Sequence, residues 1–405
     1  MSEPLVVIGN GMVAARLVEE LSRHALGRYA IAVVGDEPRL AYNRVLLSSV
    51  LAGEVTSQEI ELKTAAWWRE HGVTVRYGCR AAAIDAGRRR VILADGSLLP
   101  FSKLVFATGS RSLRPNLPGI ELPGVLTFRD AADAAMISAA SGPGARAVVI
   151  GGGLLGIEAA YGLAKGGARV TLIHLMDRLM ERQLDAPAAA LLQNKLAALG
   201  VDIQLVAETA RIDGQNRAEA VMLKDGRRIA ADLVVVAIGI RPNTELAQGA
   251  GIACRRGIVV DDGLETSMSG IYAIGECAEH RGVCYGLVEP GYEQARVLAR
   301  RLAGSDVAYA GSVVCTNLKV SGVNVFSAGD FLGEAHGSEA LTLTDRANGV
   351  YRKLVVAGGR LTGAVLIGDT LDAPWYFRLI QASADIADRR DDLMFGQAIA
   401  ERKAA

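Results

Sequence analysis

Two stretches of the chain carry glycines at a spacing that can hold a phosphate. In residues 147–160, AVVIGGGLLGIEAA, an apolar run ends in Gly151-Gly152-Gly153, and Gly156 and Glu158 follow before an Ala-rich segment of helical spacing. This reads as strand, tight turn, helix. Gly151 suits the turn, Gly153 lets a pyrophosphate approach the backbone, and Gly156 lets the helix pack on the strand. The helix N-terminus then offers free N–H groups and a partial positive charge to phosphates. Residues 5–15, LVVIGNGMVAA, repeat the pattern with Gly9, Gly11 and Ala14, an alanine filling the third place. The spacing predicts two dinucleotide sites in one chain.

Each site needs a group that reads the ribose at the end of the next strand. After the first turn, residues 16–26 have the pattern of an amphipathic helix and 31–34, IAVV, that of a strand ending at Gly35-Asp36-Glu37-Pro38. Asp36, with Glu37 beside it, is the candidate acceptor for a 2′-hydroxyl. After the second turn, the strand at 168–173 is followed by His174, with Arg178 and Arg182 nearby. An acid in that place selects a free 2′-hydroxyl, whereas basic groups tolerate a 2′-phosphate, so the residue types lean toward NADPH.

Metal chemistry has little support. The five cysteines (Cys79, Cys254, Cys277, Cys284, Cys315) include no C-x-x-C and no C-x-x-x-x-C. Their odd number and scatter suit reduced thiols in the cytosol, and no close pair exists to store electrons as a dithiol. Cys277, His280 and Cys284 have a loose ligand-like spacing but lack a fourth ligand and a knuckle, so they read as free thiols on a loop. His24, His71 and His336 read as surface or turn residues.

The elements that position these residues fit a chain of 405 residues, enough for two or three domains, with 50% hydrophobic residues. Lys plus Arg and Asp plus Glu both number 44, a balance with no footprint for nucleic acid or an anionic membrane. No targeting segment and no apolar run of about 18 residues is seen, which predicts a cytoplasmic protein. Residues 78–109 read as a β-meander and return strand closing in LVFATG, and 111–119, RSLRPNLPG, as a linker. From residue 311 onward, β-type runs at 313–315, 323–326, 351–356 and 361–367 alternate with Gly and Asp turns, and 375–387 read as an amphipathic helix. Trp67, Trp68 and Trp375 read as packing residues. The expected architecture is α/β, two Rossmann-like dinucleotide-binding domains plus a small α+β C-terminal domain.

Between these elements lies AYNRVLLSSVL, residues 41–51, where polar groups alternate with an aliphatic set as if aimed at a ligand. Together with VVIGNGM, GDEPRLAYNRVLLSS, HLMDRLMERQLD, IYAIGECAE, GLVEPGYEQA and NLKVSGVNVFSAGD, it resembles the FAD-dependent pyridine nucleotide–disulfide oxidoreductase superfamily on its ferredoxin- and rubredoxin-reductase side. More closely, the chain is similar to the FAD/NAD portion of the NAD(P)H nitrite reductase large subunit and to electron-transfer subunits of assimilatory nitrate reductase. The resemblance implies an FAD domain at 1–114 and 241–310, interrupted by an NAD(P) domain at 115–240, with an interface domain at 311–405 that covers the flavin or builds a homodimer.

The resemblance also implies residue roles. Arg44 would lie close to the flavin. Ser49 stands where ferredoxin reductases carry a Lys paired with the Glu matching Glu158, so that pair cannot form here. The backbone near Ala81 would contact adenine, the turn at Thr108-Gly109 would return to the FAD site, and Arg129 would contact FAD. Glu158 would neighbour the nicotinamide carboxamide, and Gly239 would open the hinge back to the FAD domain. Glu276 would bind the ribityl chain in the place of the usual Asp. No side chain is expected to act as nucleophile or general acid.

Function follows as an expectation: electrons pass from NADH or NADPH through FAD to a separate iron–sulfur, rubredoxin-like, globin or nitrate/nitrite-reducing partner, with a lean to NADH because the family sharing HLMDRL includes NADH users. Full-length nitrite reductase subunits continue into iron–sulfur and sirohaem domains, whereas this sequence has no C-x-C. Two rivals remain: a ferredoxin or rubredoxin reductase unrelated to nitrogen, and an NAD(H)-sensing flavoprotein of the apoptosis-inducing type.

Overall fold

The first strand, Glu3–Ile8, is a nearly pure aliphatic run and sits in the middle of a five-stranded parallel sheet. Its neighbours are fixed by register, Glu3 to Ile8 against Tyr29 to Val34 on one side and Leu5 to Ile8 against Lys103 to Phe106 on the other. The full order is Ile271–Ala273, Lys103–Phe106, Glu3–Ile8, Tyr29–Val34, Thr74–Arg76. Central strands covered on both faces need no polar alternation, hence the continuous run. In a computed structural model that describes residues 2–320 and 323–401, the chain forms two compact units. Met1–Leu46, Thr56–Arg111 and Ile240–Ser312 make the first.

The helix Met12–His24 follows the first turn, four residues earlier than the hydrophobic pattern alone suggests. Ala14, Leu17, Val18 and Leu21 form its buried stripe, which packs with the helix Val288–Leu302. A three-stranded antiparallel meander, Ala81–Asp85, Arg90–Leu93 and Leu98–Pro100, precedes the return strand Lys103–Phe106. Trp68 is buried in this unit's core.

The second unit joins Leu47–Val55, Ser112–Gly239 and the chain from Val313 onward. Its parallel sheet runs Asp202–Gln204, Arg169–Ile173, Arg146–Ile150, Leu233–Val236, Val125–Thr127. A second meander, Thr209–Asp213, Ala220–Leu223 and Arg228–Ala230, again precedes the return strand. Residues 47–55 group with this unit: the short helix Leu47–Leu51 packs on the helix Leu154–Lys165, and the Tyr161 hydroxyl donates to Glu54 at 2.6 Å. Gly162 makes the approach close, since a Cβ there would stand 2.8 Å from Leu51.

The C-terminal part is a five-stranded antiparallel sheet, ordered Cys315–Val320, Val323–Gly329, Arg360–Ile367, Val350–Ala357, Glu339–Asp345. Ser321 and Gly322, inside the quoted NLKVSGVNVFSAGD segment, lie outside the described residues. The strand Glu339–Asp345 has no counterpart in the sequence reading. The closing helix is shorter than expected, Ala373–Gln381, and its Trp375 is buried. No helix among the described residues is long and apolar enough to cross a membrane.

Candidate functional site

Both glycine turns are built alike. Gly9 and Gly151 take positive φ, +114° and +119°, and a Cβ on either would collide with a carbonyl of the strand-end segment alongside, Ala107 O at 2.0 Å and Ala237 O at 2.3 Å. Gly156 admits no side chain either, because its Cβ would meet the Gly151 carbonyl at 1.8 Å. Gly11 and Gly153 differ: each is the N-cap of its helix, neither has a side-chain cap, and a Cβ on either would find nothing within 4 Å. No acid sits in either first turn. By contrast, Asp130 and Asp185 cap their own helices with side-chain oxygens. Both glycine-turn helix ends are thus left with N–H groups that no side chain caps, beside open space, the chemistry a pyrophosphate needs.

In the first unit several candidate groups gather around Gly11. Asn10 donates to Arg39 O at 3.0 Å, and its buried Oδ1 has no partner. Val13, in the helix's first turn, lies against Gly275, whose Cβ would come within 3.2 Å of it. That brings Glu276 to the turn, where Ser110 donates to its Oε2 at 2.8 Å and the Cβ of a side chain at Gly109 would lie 3.8 Å away. Thr108 and Asn243 exchange hydrogen bonds: the Thr108 hydroxyl donates to Asn243 O at 3.0 Å and the Asn243 amide to Thr108 O at 2.9 Å. The orphaned acceptor and the uncapped helix fit a bound dinucleotide.

At the end of Tyr29–Val34 the two acids part company. Asp36 is exposed, whereas half-buried Glu37 accepts from the Tyr42 hydroxyl at 2.7 Å and pairs with Arg44. Gly78 N and Cys79 N bond to Glu37 O and Gly35 O, both at 2.8 Å, which carries Ala81, at the start of the meander, beside this strand end. Ala14 is buried on the helix.

In the second unit, His174 does not stand open to a ligand as the sequence reading expected. It is 9% exposed, its Nδ1 accepts from Gly152 N at 3.0 Å, and its Nε2 bonds Glu181 Oε2 at 3.1 Å. Arg178 is spent on Leu184 O and Asp177, and the Arg182 side chain is 86% exposed. The basic cluster expected around a 2′-phosphate is therefore not assembled. Glu158 is buried on the glycine-turn helix with no hydrogen-bond or ion-pair partner among the described residues. Burial alone pushes its carboxyl up to about 8. Ser49 lies half-buried on the helix Leu47–Leu51, Arg129 half-buried just before the Asp130 cap. Gly239 has φ +128° and open space, and its carbonyl accepts from Leu113 N at 2.9 Å.

The cysteine reading needs correction in one respect. Cys277 is not on an open loop but fully buried, its thiol donating to Ile274 O at 3.3 Å, and burial raises its pKa. His280 is buried against Asp262 at 2.9 Å. No group of residues that could hold a metal occurs among the described residues. Sequence reasoning missed Asn10, Ser110, Asn243 and Glu181. Asn10 was readable from its place between two turn glycines, but the others depend on contacts across the fold.

Residues 3–299 match the pyridine nucleotide-disulphide oxidoreductase family, and 315–384 match the rubredoxin NAD+ reductase C-terminal domain. The chain belongs to the pyridine nucleotide-disulphide oxidoreductase family. It is 45% identical over 385 residues to a nitrite reductase [NAD(P)H] of Bacillus subtilis, covering 95% of this chain and 48% of that one. It is 41% identical over 369 residues to the assimilatory nitrate reductase electron transfer subunit of the same organism, covering 91% and 48%. The chain thus spans about half the length of these curated relatives. Among solved structures, the covalent putidaredoxin reductase–putidaredoxin complex matches with TM-score 0.88 and 26% identity over 98% of this chain and 96% of that one.

Proposed function

We propose that this chain draws electrons from NAD(P)H and passes them to a separate redox protein in nitrate or nitrite reduction, with FAD at the Gly9/Gly11/Ala14 turn and NAD(P)H at the Gly151/Gly153/Gly156 turn. The carrying observation is the pair of uncapped glycine-turn helices in two sheets of matching strand order. The bound cofactors supply the electron chemistry. The protein's share is to bind and orient them. Uncapped N–H groups receive the two pyrophosphates. Glu37, held by Tyr42 and Arg44, faces the flavin's adenosine ribose in preference to exposed Asp36, and Glu276, set by Ser110, receives the ribityl chain. Buried Glu158 neighbours the nicotinamide; Thr108 and Gly109 in the first unit, and Ser49, Arg129 and Gly239 in the second, are the further cofactor-binding candidates of this reading.

The nitrogen link rests on likeness to the nitrite and nitrate reductase proteins. Likeness to a reductase solved in a covalent complex with putidaredoxin favours a separate acceptor, and it supports a second reading, a ferredoxin or rubredoxin reductase outside nitrogen metabolism. Cytoplasmic residence and a homodimer built through the C-terminal sheet belong to the same proposal; gel filtration tests the dimer.

The first test is an anaerobic titration with NADH and, separately, NADPH. Loss of the oxidised flavin band near about 450 nm is expected. Flavin that stays oxidised sinks the reductase reading and moves weight to an NAD(H) sensor. Addition of nitrite-reducing, ferredoxin or rubredoxin acceptors to the reduced protein then separates the two electron-transfer readings by which one reoxidises it.

A further inference from the structure

The strand Arg169–Ile173 ends where a nucleotide-binding sheet normally offers an acid to the adenosine ribose, yet His174 in that place faces inward. Its Nδ1 is an acceptor for the Gly152 N–H, so the ring N–H is on Nε2 and donates to Glu181. The ring fills the space above Gly152: a Cβ there would meet His174 at 2.7 Å and Leu179 at 2.8 Å. The segment after the strand is tied to the same glycine from its other side, Met180 N donating to Gly152 O at 2.9 Å. Met180 itself takes φ +51°, turning the chain just before Glu181.

Both polar groups of Gly152 are therefore used to fold residues 174–181 over the turn, and the charged group delivered there is the Glu181 carboxylate. Its Oε2 is held by the imidazole, while the Glu181 side chain keeps 22% exposure. Among the described residues Oε1 has only a long approach, 3.9 Å, from the largely solvated Arg182.

We infer that Glu181, held in position by His174, reads the adenosine ribose of the pyridine nucleotide, accepting from its 2′-hydroxyl and rejecting a 2′-phosphate by charge. The inference rests on the proposal that the second glycine turn holds NAD(P)H. Glu181 is then a specificity-determining residue, and His174 a positioning residue that reads nothing directly. An acid absent from the strand end is supplied seven residues later through an imidazole.

Calorimetric titration of the flavin-loaded protein with ADP-ribose and with its 2′-phosphorylated analogue tests this without any turnover. Wild type is expected to prefer ADP-ribose. Glu181→Gln should lower that preference by about tenfold or more, and Glu181→Arg should reverse it. His174→Asn keeps an acceptor for Gly152 N but cannot reach Glu181, so it should relax the preference while flavin content stays at the wild-type level. An unchanged ratio in Glu181→Gln overturns the inference even if the arginine variant fails to fold. The parent proposal fails separately: ADP-ribose binding that survives Gly153→Asp means the nucleotide sits elsewhere.

Discussion

Gly151 and Gly153 stand two residues apart and answer an added side chain in opposite ways. At Gly151 the positive φ and the nearby Ala237 carbonyl leave no room, so Gly151→Ala should destabilise the fold by about 1–3 kcal/mol, read as a lower urea midpoint. At Gly153 the backbone is ordinary, φ −82°, and the space beyond is open. Gly153→Asp should therefore fold and keep its flavin, while the carboxylate blocks the pyrophosphate and weakens NADH binding by about a hundredfold or more. Undiminished NADH binding would remove the second turn from the site. Glu158 offers a pH test. Its folded pKa, about 8, lies above the ordinary 4.5, so its contribution to stability is complete below about 4.5 and is lost as pH rises through about 8. Over that window the loss is on the order of a few kcal/mol. Glu158→Gln should flatten that part of the stability profile, as denaturant midpoints taken from pH 5 to 9 would reveal. The glycine spacing was legible because it is local. The role of His174 was not, since residue type alone gives no direction for an imidazole.

Among the elements, the helix Ala186–Ala198 and the strand Val350–Ala357 are joined through one acid. Asp185 caps the helix at Ala188 N, 3.2 Å, and also accepts from the Tyr351 hydroxyl at 2.7 Å, with Lys353 Nζ at 3.6 Å. Tyr351 and Lys353 are two apart on the strand, so they share a face, and both are largely buried. Tyr351→Phe should cost about 1–3 kcal/mol. Asp185→Ala removes the cap and leaves Lys353 with the Leu332 carbonyl but without its carboxylate, so its cost should be larger, about 2–4 kcal/mol, in the same unfolding measurement. Elements with a strong hydrophobic pattern were legible, such as the continuous run of Glu3–Ile8 and the periodic stripe of Met12–His24. The strand Glu339–Asp345 was not, because it is an edge strand: Leu341 and Leu343 on its inner face are only half-buried and its other face is exposed, so no fully buried stripe marks it. Nor could sequence assign residues 47–55 to their unit, which is decided by Leu51 against Gly162 and Glu54 against Tyr161.

At the scale of the whole molecule, each parallel sheet has its own glycine turn, so the two cofactors should be separable by mutation. Gly11→Asp, in open space like Gly153, should yield a colourless protein that still binds ADP-ribose; loss of both ligands together would show that the sites are not independent. The two sheets have the same order, but their last strand arrives from opposite directions in the sequence. In the second unit it is Val125–Thr127, made before the glycine turn; in the first it is Ile271–Ala273, made long after it. On the ribosome, the sheet around Gly151 therefore has all its strands once Val236 has emerged, whereas the sheet around Gly9, begun first, waits for Ala273. The earlier-written half of the protein is the later to close, and a nascent chain halted between these points has one finished parallel sheet and one still open at its edge.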